Sequence, residues 1–359
     1  MLNLTGGGLS GGYRKYLQHI VPAFQSSSAV SELLVAVPPG QESGAGNSNV
    51  VFSWVAGEQW RGFNALRKRV VAWKPDVVLI PTARYLDCGV PVVAMVRNME
   101  PMLSPNLRDG VTSWARNYLG AHLARRAVTK AQRVIAVSQF VREFLKDEWR
   151  VDDSKIGVVY HGVDEAAYVA VTPTSLNALT ATPFLFAAGS LLPYRGIEDA
   201  IRALSMVNNP KTILAVAGNG SERYRSALTS LAAELQLDSR IRWLGHLDET
   251  EMRWAYQRCV AFLMTSRVEA CPNTALEAMA NGALCISTDS PPMPEFFRDT
   301  AQYFKPNDAP TLAALIEDVL VSSPQVIVER RSAARARAVQ FKWSNTVAET
   351  IAQLQRALT

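Results

Sequence analysis

Two glutamates, Glu269 and Glu277, frame the segment Glu269-Ala-Cys-Pro-Asn-Thr-Ala-Leu-Glu277. The apolar run Val260-Ala-Phe-Leu-Met264 precedes this segment and predicts a buried strand. Pro272 suits the first turn of a helix, which we predict over Thr274–Ala280. A strand, a loop and a helix N-terminus in this order present unsatisfied backbone amide groups that can hold a phosphate. The segment therefore combines a phosphate-binding geometry with two carboxylates.

A glycine-rich loop near the start of the chain offers a second site of the same kind. Leu2–Leu4 predicts a short strand, Thr5-Gly-Gly-Gly-Leu-Ser-Gly-Gly12 follows it, and a helical pattern begins at Tyr13. Bare glycine backbone at this point can approach a phosphate or a sugar closely. The spacing is not that of the dinucleotide-binding G-x-G-x-x-G, and no P-loop lysine follows, which disfavours a nicotinamide or ATP site.

Short apolar runs alternate with helical patterns along the whole chain. The predicted strands cover 33–37, 50–54, 76–80, 92–96, 133–137, 156–160, 184–188, 212–217, 241–244, 259–264, 284–287 and 302–304. The predicted helices cover 60–73, 111–130, 139–148, 197–207, 221–235, 249–257, 274–280 and 310–321. Continuous apolar strands indicate parallel sheets covered on both faces. The predicted fold class is α/β, with two Rossmann-like doubly wound parallel-sheet domains facing a cleft.

The predicted domain boundary lies in a segment rich in Thr, Ala and Pro. We predict an N-terminal Rossmann-like domain over 1–165, a linker over 166–182 and a C-terminal Rossmann-like domain over 183–340. Residues 341–359 predict a capped amphipathic helix. Because ligands of such sheets bind at the carboxyl ends of the strands, we expect substrate in the cleft.

The composition is that of a globular enzyme. The chain has 359 residues, 48% of them hydrophobic, and a net charge of +5, which favours anionic partners but gives no sign of nucleic-acid binding. No apolar run approaches the roughly 20 residues of a bilayer span, and no secretory signal is apparent. The four cysteines lie far apart without C-x-x-C, at Cys88, Cys259, Cys271 and Cys285. This pattern disfavours a metal site or a disulfide framework and predicts a reduced, cytoplasmic protein.

The spacing of the two glutamates resembles the E-x7-E motif of the retaining glycosyltransferases of family four, whose two Rossmann-like domains form the arrangement called GT-B. The resemblance covers nearly the whole chain. It implies that Glu269 is a catalytic residue beside the donor sugar and that Glu277 bonds the ribose hydroxyls. It also implies that the backbone of Asn273, Thr274 and Ala275 meets the donor phosphates, and that the C-terminal helix packs back across to the first domain.

Loops in the second half resemble the donor-binding loops of the same family. Arg195 stands where the family carries a Lys, and the resemblance makes it the catalytic cation that pairs the diphosphate. Ser190 stands where the family carries an Arg, so one expected cation is missing. Either another cation replaces it, or Ser190 donates a hydrogen bond. Gly218 and Asn219 match the family's G-x-G near the donor, and His246 is placed near the nucleotide base.

In the first half, the resemblance places Gly11 and Gly12 over the donor diphosphate. Arg97 and Asn98 end a predicted strand where many relatives carry a His, so we expect them to change a sugar or acceptor contact. His161 lies in the segment Val159-Tyr-His-Gly-Val-Asp164, which is similar to the family's element that shapes the turn between the domains. The chain contains no D-x-D, the motif typical of metal-dependent glycosyltransferases, so we predict no metal and no cofactor besides the nucleotide-diphosphate sugar as co-substrate.

The segment 110–142 contains no Asp or Glu. Its positive residues are Arg116, Arg125, Arg126, Lys130, Arg133 and Arg142. Together with Trp114 and Tyr118 they predict peripheral, salt-sensitive binding to an anionic membrane surface at the inner face of the membrane. The alternative is the solvated face of a crossover helix.

These features predict a retaining glycosyltransferase. It would move a sugar from a UDP- or GDP-linked donor to a glycan, lipid-linked or small-molecule acceptor and form an α-glycosidic bond without a metal. One alternative is a non-catalytic nucleotide-sugar-binding partner protein. Another is a nucleotide-sugar epimerase, which would yield product without an acceptor. A glycosidase also uses two carboxylates, but it would leave the phosphate-binding features unexplained.

Overall fold

Apolar runs form parallel strands, which the computed structural model of the protein places in two units. The structure describes residues 1–2, 11–37, 50–53, 59–103 and 111–359. The first unit comprises Met1–Gly162 together with Lys342–Thr359, and the second comprises Val163–Phe341. Most of the glycine-rich loop and two residues of the strand predicted over 2–4 lie outside the described residues. Leu2 makes an isolated parallel bridge with Ala36.

The first unit contains a pair of strands and a four-stranded sheet. The pair is β1 (Leu34–Val37) with β2 (Val50–Ser53). The sheet has the order β3-β4-β5-β6, with β3 (Val78–Ile80), β4 (Val92–Val96), β5 (Arg133–Ala136) and β6 (Ile156–Val158). Its helices are α1 (Gly11–Ser26), α2 (Gln59–Trp73), α3 (Glu100–Leu103), α4 (Val111–Lys130), α5 (Gln139–Asp147) and α13 (Trp343–Arg356). Every residue of β4 is buried, as expected for a strand covered on both faces.

The second unit is built on one six-stranded parallel sheet. Its strands are β7 (Phe184–Ala188), β8 (Ile213–Ala217), β9 (Ile241–Gly245), β10 (Ala261–Met264), β11 (Cys285–Thr288) and β12 (Ala301–Phe304). Its helices are α6 (Ile197–Met206), α7 (Glu222–Glu234), α8 (Glu249–Arg258), α9 (Asn273–Ala280), α10 (Met293–Phe297), α11 (Ala309–Val321) and α12 (Pro324–Ala338). The order β12-β11-β10-β7-β8-β9 is that of a doubly wound fold, and the direction of winding reverses between β7 and β10.

Local sequence signals explain where several of these helices begin. Ser221 accepts a hydrogen bond from the Tyr224 amide at the start of α7. Asp248 and Glu251 form a capping box at the start of α8, each side chain accepting from the other residue's amide. Buried Leu and Ile side chains on β7, β8, α6 and α11 then pack into one core on one face of the sheet.

The predicted strands from residue 33 onward are all present, with bounds that differ from the prediction by at most two residues. Helices α3, α10 and α12 were not predicted. For α12 the available signal is Ser323, whose side chain accepts from the Val326 amide, followed by Pro324 in the first turn. Among the described residues, no single helix is long and apolar enough to cross a membrane, although the bent pair Ala309–Val321 and Pro324–Arg356 meets the length and composition.

The segment predicted as a linker over 166–182 belongs to the second unit. Thr174–Leu179 forms a 3-10 helix, and Leu176 and Leu179 are buried. The chain changes unit after Gly162 and again after Phe341, so α13 lies in the first unit. There the Thr346 hydroxyl donates to the Tyr160 carbonyl at 2.8 Å.

Candidate active site

The reversal of strand order brings two loops of the second unit together. Gly189 and Ser190 follow β7, Thr265 and Ser266 follow β10, and β7 and β10 are neighbours in the sheet. Both loops therefore leave the same edge of the sheet, and Arg195 lines a small pocket with them. Ligands of doubly wound sheets bind at this position. We take this edge as the candidate active site.

Arg195 and Glu269 form an ion pair at this edge. Arg195 Nη1 donates to a carboxylate oxygen of Glu269 and, at 3.3 Å, to Ser266 Oγ. The Arg195 side chain is 17% exposed and that of Glu269 is 11% exposed, so water screens the pair poorly. The structure thus joins the two residues predicted to be catalytic.

The largely buried position of this ion pair changes the pKa of both side chains. Burial raises the pKa of Glu269 above its usual range, although Arg195 and Ser266 oppose the change. Burial by itself lowers the pKa of Arg195, but the Glu269 carboxylate and Tyr194 outweigh it and raise that pKa above its ordinary value. The guanidinium therefore stays charged, while the carboxylate is a weaker acid than an exposed glutamate.

The loops after β7, β8 and β9 are fastened to one another through their backbones. Gly189 N–H donates to the Ala217 carbonyl at 3.0 Å, and Gly218 N–H donates to the Gly245 carbonyl at 2.6 Å. A β-carbon built on Gly218 would lie 1.8 Å from the Gly189 carbonyl oxygen. Only glycine fits at Gly218, because any side chain would push the two loops apart.

Three predicted donor-binding side chains project from these loops. Ser190, Asn219 and His246 are all exposed and follow β7, β8 and β9 in turn. The Asn219 carbonyl accepts from the Leu191 amide at 2.9 Å, which sets the path of the backbone between them. These residues lie at the same edge of the sheet as the ion pair.

Helix α9 begins in the segment framed by the two glutamates. Its N-cap residue, Pro272, provides no side-chain hydrogen bond. The Ala275 amide donates to the Pro272 carbonyl at 2.9 Å, so it is already bonded within the first turn. Phosphate binding by the amides of Asn273 and Thr274 remains a prediction, whereas binding by Ala275 would require that bond to open.

Glu277 lies inside α9, beside a buried tyrosine. Tyr256 Oη donates to Glu277 Oε2 at 3.5 Å, a long and weak hydrogen bond. Burial, followed by the charge of Glu277, raises the pKa of Tyr256 well above its ordinary value, so its hydroxyl remains a donor. Glu277 is half-buried and can still present an oxygen to a ligand.

The predicted residues of the first unit lie around the start of α1. Gly11 and Gly12 are the first two residues of α1. The Arg97 guanidinium lies over the Tyr13 ring, with Cζ 4.3 Å from the ring centroid. Asn98 Oδ1 accepts from the first amide of α3 at 3.0 Å, in an Asx turn that leads into that helix. Arg97 follows β4 directly, at the carboxyl edge of its own sheet.

His161 is packed among aromatic rings rather than presented to solvent. It is 2% exposed, and its ring centroid lies 5.6 Å from that of Tyr16 and 6.2 Å from that of Trp343. The next residue, Gly162, is so close to the Trp343 backbone that a β-carbon would approach its nitrogen to 2.3 Å. This packing accords with the predicted role of His161 in shaping the chain at this point.

Two polar residues beside the ion pair were not singled out by sequence analysis. Arg267 Nη2 donates to both carboxylate oxygens of the buried Asp199, at 3.1 and 3.2 Å. Arg267 stands two residues before Glu269, and Asp199 stands in the first turn of α6, four residues after Arg195. This proximity to predicted catalytic residues was the only sequence signal for them.

Each half of the chain matches the model of a known protein family. Residues 34–167 match the family model glycosyltransferase family 4, and residues 173–339 match glycosyl transferases group 1. The chain belongs to the group 1, family 4 glycosyltransferases. The resemblance inferred from the E-x7-E spacing is thereby confirmed.

Among curated relatives of this glycosyltransferase, the O-antigen chain mannosyltransferase RfbU of Salmonella typhimurium is 22% identical over 55% of this chain and 53% of its own length. The glycogen synthase of Mycobacterium tuberculosis is 27% identical over 80% of this chain and 70% of its own length. The chain thus spans about half the length of the mannosyltransferase that it matches.

Solved structures confirm the predicted fold class of two parallel-sheet α/β domains. Anabaena HepE, solved in complex with UDP and glucose, matches with a TM-score of 0.78 at 19% identity, over 99% of both chains. WaaG, a glycosyltransferase involved in lipopolysaccharide biosynthesis, matches with a TM-score of 0.74 at 14% identity, over 98% of both chains. At these identities the likeness concerns the fold alone.

Proposed function

We propose that this protein is a retaining glycosyltransferase that uses a nucleotide-diphosphate sugar, linked to UDP or GDP, and needs no metal. The acceptor would be a glycan, a lipid-linked sugar or a small molecule, and the new bond an α-glycosidic bond. The observation that carries the proposal is the Arg195–Glu269 pair at the point where the strand order reverses. The Nε–H group of Arg195 is also buried at this point and has no hydrogen-bond partner among the described residues.

A buried cation with an unsatisfied donor favours an anionic ligand. An unpaired buried N–H costs about 1–3 kcal/mol, and a phosphate oxygen in the pocket would remove that cost. The guanidinium can pair a phosphate through two parallel N–H groups. The N-terminus of α9 adds partial positive charge at the same edge. Arg195 and α9 together could therefore stabilise a diphosphate.

The proposed reaction follows from these charges. The bond between C1 of the donor sugar and the diphosphate breaks, and the diphosphate leaves with the electron pair. Positive charge fixed beside the departing oxygens lowers the barrier, because it is in place before the negative charge develops. Glu269 supplies negative charge beside the electron-poor sugar carbon. An acceptor hydroxyl then forms the new bond to C1, and its proton passes to an oxygen of the departing diphosphate.

The similar proteins support the same class of chemistry. HepE was solved with UDP-glucose, so UDP-glucose is the first donor to test. The mannosyltransferase and the glycogen synthase are named for the transfer or polymerisation of hexoses. We extend this to the present chain as a hexosyl transfer.

A nucleotide-release assay tests the proposal. Purified protein would receive a panel of UDP-, GDP- and ADP-sugars with EDTA, with and without a mixture of candidate acceptors. We expect release from one donor, lost about 100- to 1000-fold in Glu269→Ala and Arg195→Ala because each removes a charge that acts in the transition state. Glu249→Ala is the matched control, since Glu249 is 64% exposed on α8. Loss of all release with EDTA, restored by a divalent metal, would refute the metal-free mechanism.

One alternative keeps support from a specific residue. Ser190 occupies the position where the family carries a second cation, which favours a protein that binds nucleotide sugars without transferring them. In that case calorimetry would detect donor binding while no donor released its nucleotide with any acceptor.

The stereochemistry of the transfer is tested separately. NMR of the anomeric proton of the product would show whether the anomeric configuration of the donor sugar is retained or inverted.

We also propose peripheral membrane binding through α4, at the inner face of the membrane. Trp114 stacks on Tyr118 with centroids 5.6 Å apart, and Tyr118 is 66% exposed. Arg125 and Arg126 are exposed on the same helix. Sedimentation with vesicles that contain anionic lipid should capture the protein at low salt and lose it in Arg125→Glu/Arg126→Glu. Equal capture by neutral vesicles would contradict the proposal.

A further inference from the structure

We infer that Arg267 and Asp199 form a positioning pair that holds the Arg195 loop against the Glu269 loop. Neither residue reaches the ion pair itself. Their effect on transfer would pass through the placement of Arg195 and Glu269, so this inference rests on the proposed function for its activity readout.

One guanidinium nitrogen connects two loops and the start of helix α6. Arg267 Nη2 donates to Asp199 Oδ1 and Oδ2 at 3.1 and 3.2 Å and to Asn307 Oδ1 at 2.9 Å. The Asn307 amide in turn donates to Asp199 Oδ2 at 3.0 Å. Arg267 follows β10, Asp199 lies in the first turn of α6 after β7, and Asn307 follows β12. The Asp199 side chain is only 4% exposed, so these hydrogen bonds replace those that water would make to an exposed carboxylate.

The loop that carries Arg195 also bonds directly to the loop that carries Glu269, through its backbone carbonyls. The Arg267 amide donates to the Tyr194 carbonyl at 2.8 Å, and Thr265 Oγ1 donates to the Arg195 carbonyl at 2.6 Å. A β-carbon on Gly196 would lie 2.5 Å from the Thr265 carbonyl oxygen and 3.5 Å from Arg267 Cζ. The Arg267 side chain therefore passes over Gly196, immediately after Arg195, and is anchored on α6 beyond it.

This arrangement couples the position of Arg195 to that of Glu269. Without the anchor on Asp199, the segment that carries Arg267 and Glu269 would lose a tie to α6. The bonds to the Tyr194 and Arg195 carbonyls and the side-chain bonds of Arg195 would then have to hold it. Buried ion pairs add little net stability compared with apolar packing. They do specify geometry when, as here, one donor group meets acceptors on separate elements, α6 and the loop after β12.

The test compares Arg267→Ala, Arg267→Lys and Asp199→Asn with Arg330→Ala. Arg330 pairs with Asp318 at 3.3 Å on the exposed surface of the same unit, so its removal controls for loss of an arginine. We expect kcat to fall about 10- to 100-fold in Arg267→Ala, because displacement of a reacting group by about 1 Å has that effect. The KM for the donor should change much less than kcat. Arg267→Lys should recover only part of kcat, since the lysine side chain is shorter and its ammonium would lie farther from Asp199 and Asn307.

A double-mutant cycle separates positioning from a general loss of stability. If Arg267 acts by placing Arg195 against Glu269, its effect requires both residues, so Arg195→Ala/Arg267→Ala should be no slower than Arg195→Ala alone. If the two losses multiply, Arg267 acts independently and the inference is overturned. Normal kcat in Arg267→Ala would overturn it as well.

Hydrogen–deuterium exchange gives a readout that needs no enzymatic activity. Exchange in the segments 193–197 and 265–270 should rise together in Arg267→Ala and in the milder Asp199→Asn, while α11 and α12 stay unchanged. If only one of the two segments responds, the loops are not coupled and the inference fails. Wild-type protein that transfers no sugar would refute the proposed function, yet the exchange data would still decide whether this pair couples the loops.

Discussion

Gly218 provides a stringent test of how the donor-side loops are assembled. Its φ is +127°, which side-chain-bearing residues rarely adopt, and a β-carbon would lie 1.8 Å from the Gly189 carbonyl oxygen. Real β-carbons essentially never approach closer than 3.0 Å, so the two loops would have to separate by about 1.2 Å, the difference of these distances. Gly218→Ala should therefore strain the backbone and disturb the bonds from Gly189 to Ala217 and from Gly218 to Gly245.

The expected magnitude follows from these contributions. Backbone strain costs about 1–3 kcal/mol, and each weakened backbone hydrogen bond costs about 1 kcal/mol net. Gly218→Ala should thus lower the free energy of unfolding by about 3–5 kcal/mol. Gly245→Ala is the matched control, because Gly245 also has a positive φ, +66°, but has no close neighbour. The atom nearest to a β-carbon built on Gly245 is 3.8 Å away. It should cost only about 1–2 kcal/mol.

Urea denaturation followed by circular dichroism would measure both variants. At temperatures where Gly218→Ala remains folded, its affinity for the nucleotide should also be weaker, because the loops that carry Ser190 and Asn219 are displaced. A stability for Gly218→Ala within about 1 kcal/mol of that for Gly245→Ala would refute the reasoning, because the close approach to Gly189 would then carry no penalty.

Three further outcomes are expected. The pKa of Glu269 is raised in the folded state, so its burial costs stability above the unfolded-state pKa, and this cost disappears as pH falls. As pH is lowered from 7 towards about 4.5, wild type should therefore gain melting temperature relative to Glu269→Gln, whose neutral side chain does not titrate. A constant difference between the two melting temperatures would contradict the raised pKa. Ser190→Arg should raise kcat/KM for the donor about tenfold, since a charge-assisted hydrogen bond contributes about 1.5–3 kcal/mol. Initial-rate kinetics would measure this change, and an unchanged kcat/KM would mean that the diphosphate lies elsewhere. Burial raises the pKa of Cys259 to about 12, so iodoacetamide at pH 8 should alkylate the half-buried Cys271 well before Cys259, as mass spectrometry of the native protein would show.

Local sequence determined the elements of this protein closely. The run Phe184–Ala188 is apolar throughout, and it forms a strand with those same bounds. Val92–Val96 does the same in the first unit. Such runs are readable because a strand covered on both faces needs an apolar side chain at every position. The spacing of Glu269 and Glu277 likewise indicated the family to which the chain belongs.

Local sequence was less informative where an element buries little of its own surface. Helix α12 is mostly exposed, with Ala334 and Ala338 as its buried residues, so it has no clear apolar stripe to predict. The Thr- and Pro-rich segment before residue 183 has the composition of a linker, but Leu176 and Leu179 bury their side chains within the second unit. Composition reports the average polarity of a segment and not the few contacts that anchor it.

Only the tertiary structure decided which residues meet. Arg195 and Glu269 are 74 positions apart, and they pair because β7 and β10 are neighbours although two strands separate them along the chain. Strand neighbours depend on how helices cover both faces of the whole sheet, a property that no single segment encodes. The same holds for Arg267, which joins its own loop to Asp199 in α6 and to Asn307 after β12. The sequence thus determined the elements and the family, whereas the order of strands in the sheet placed a cation, a carboxylate and a helix N-terminus at one edge.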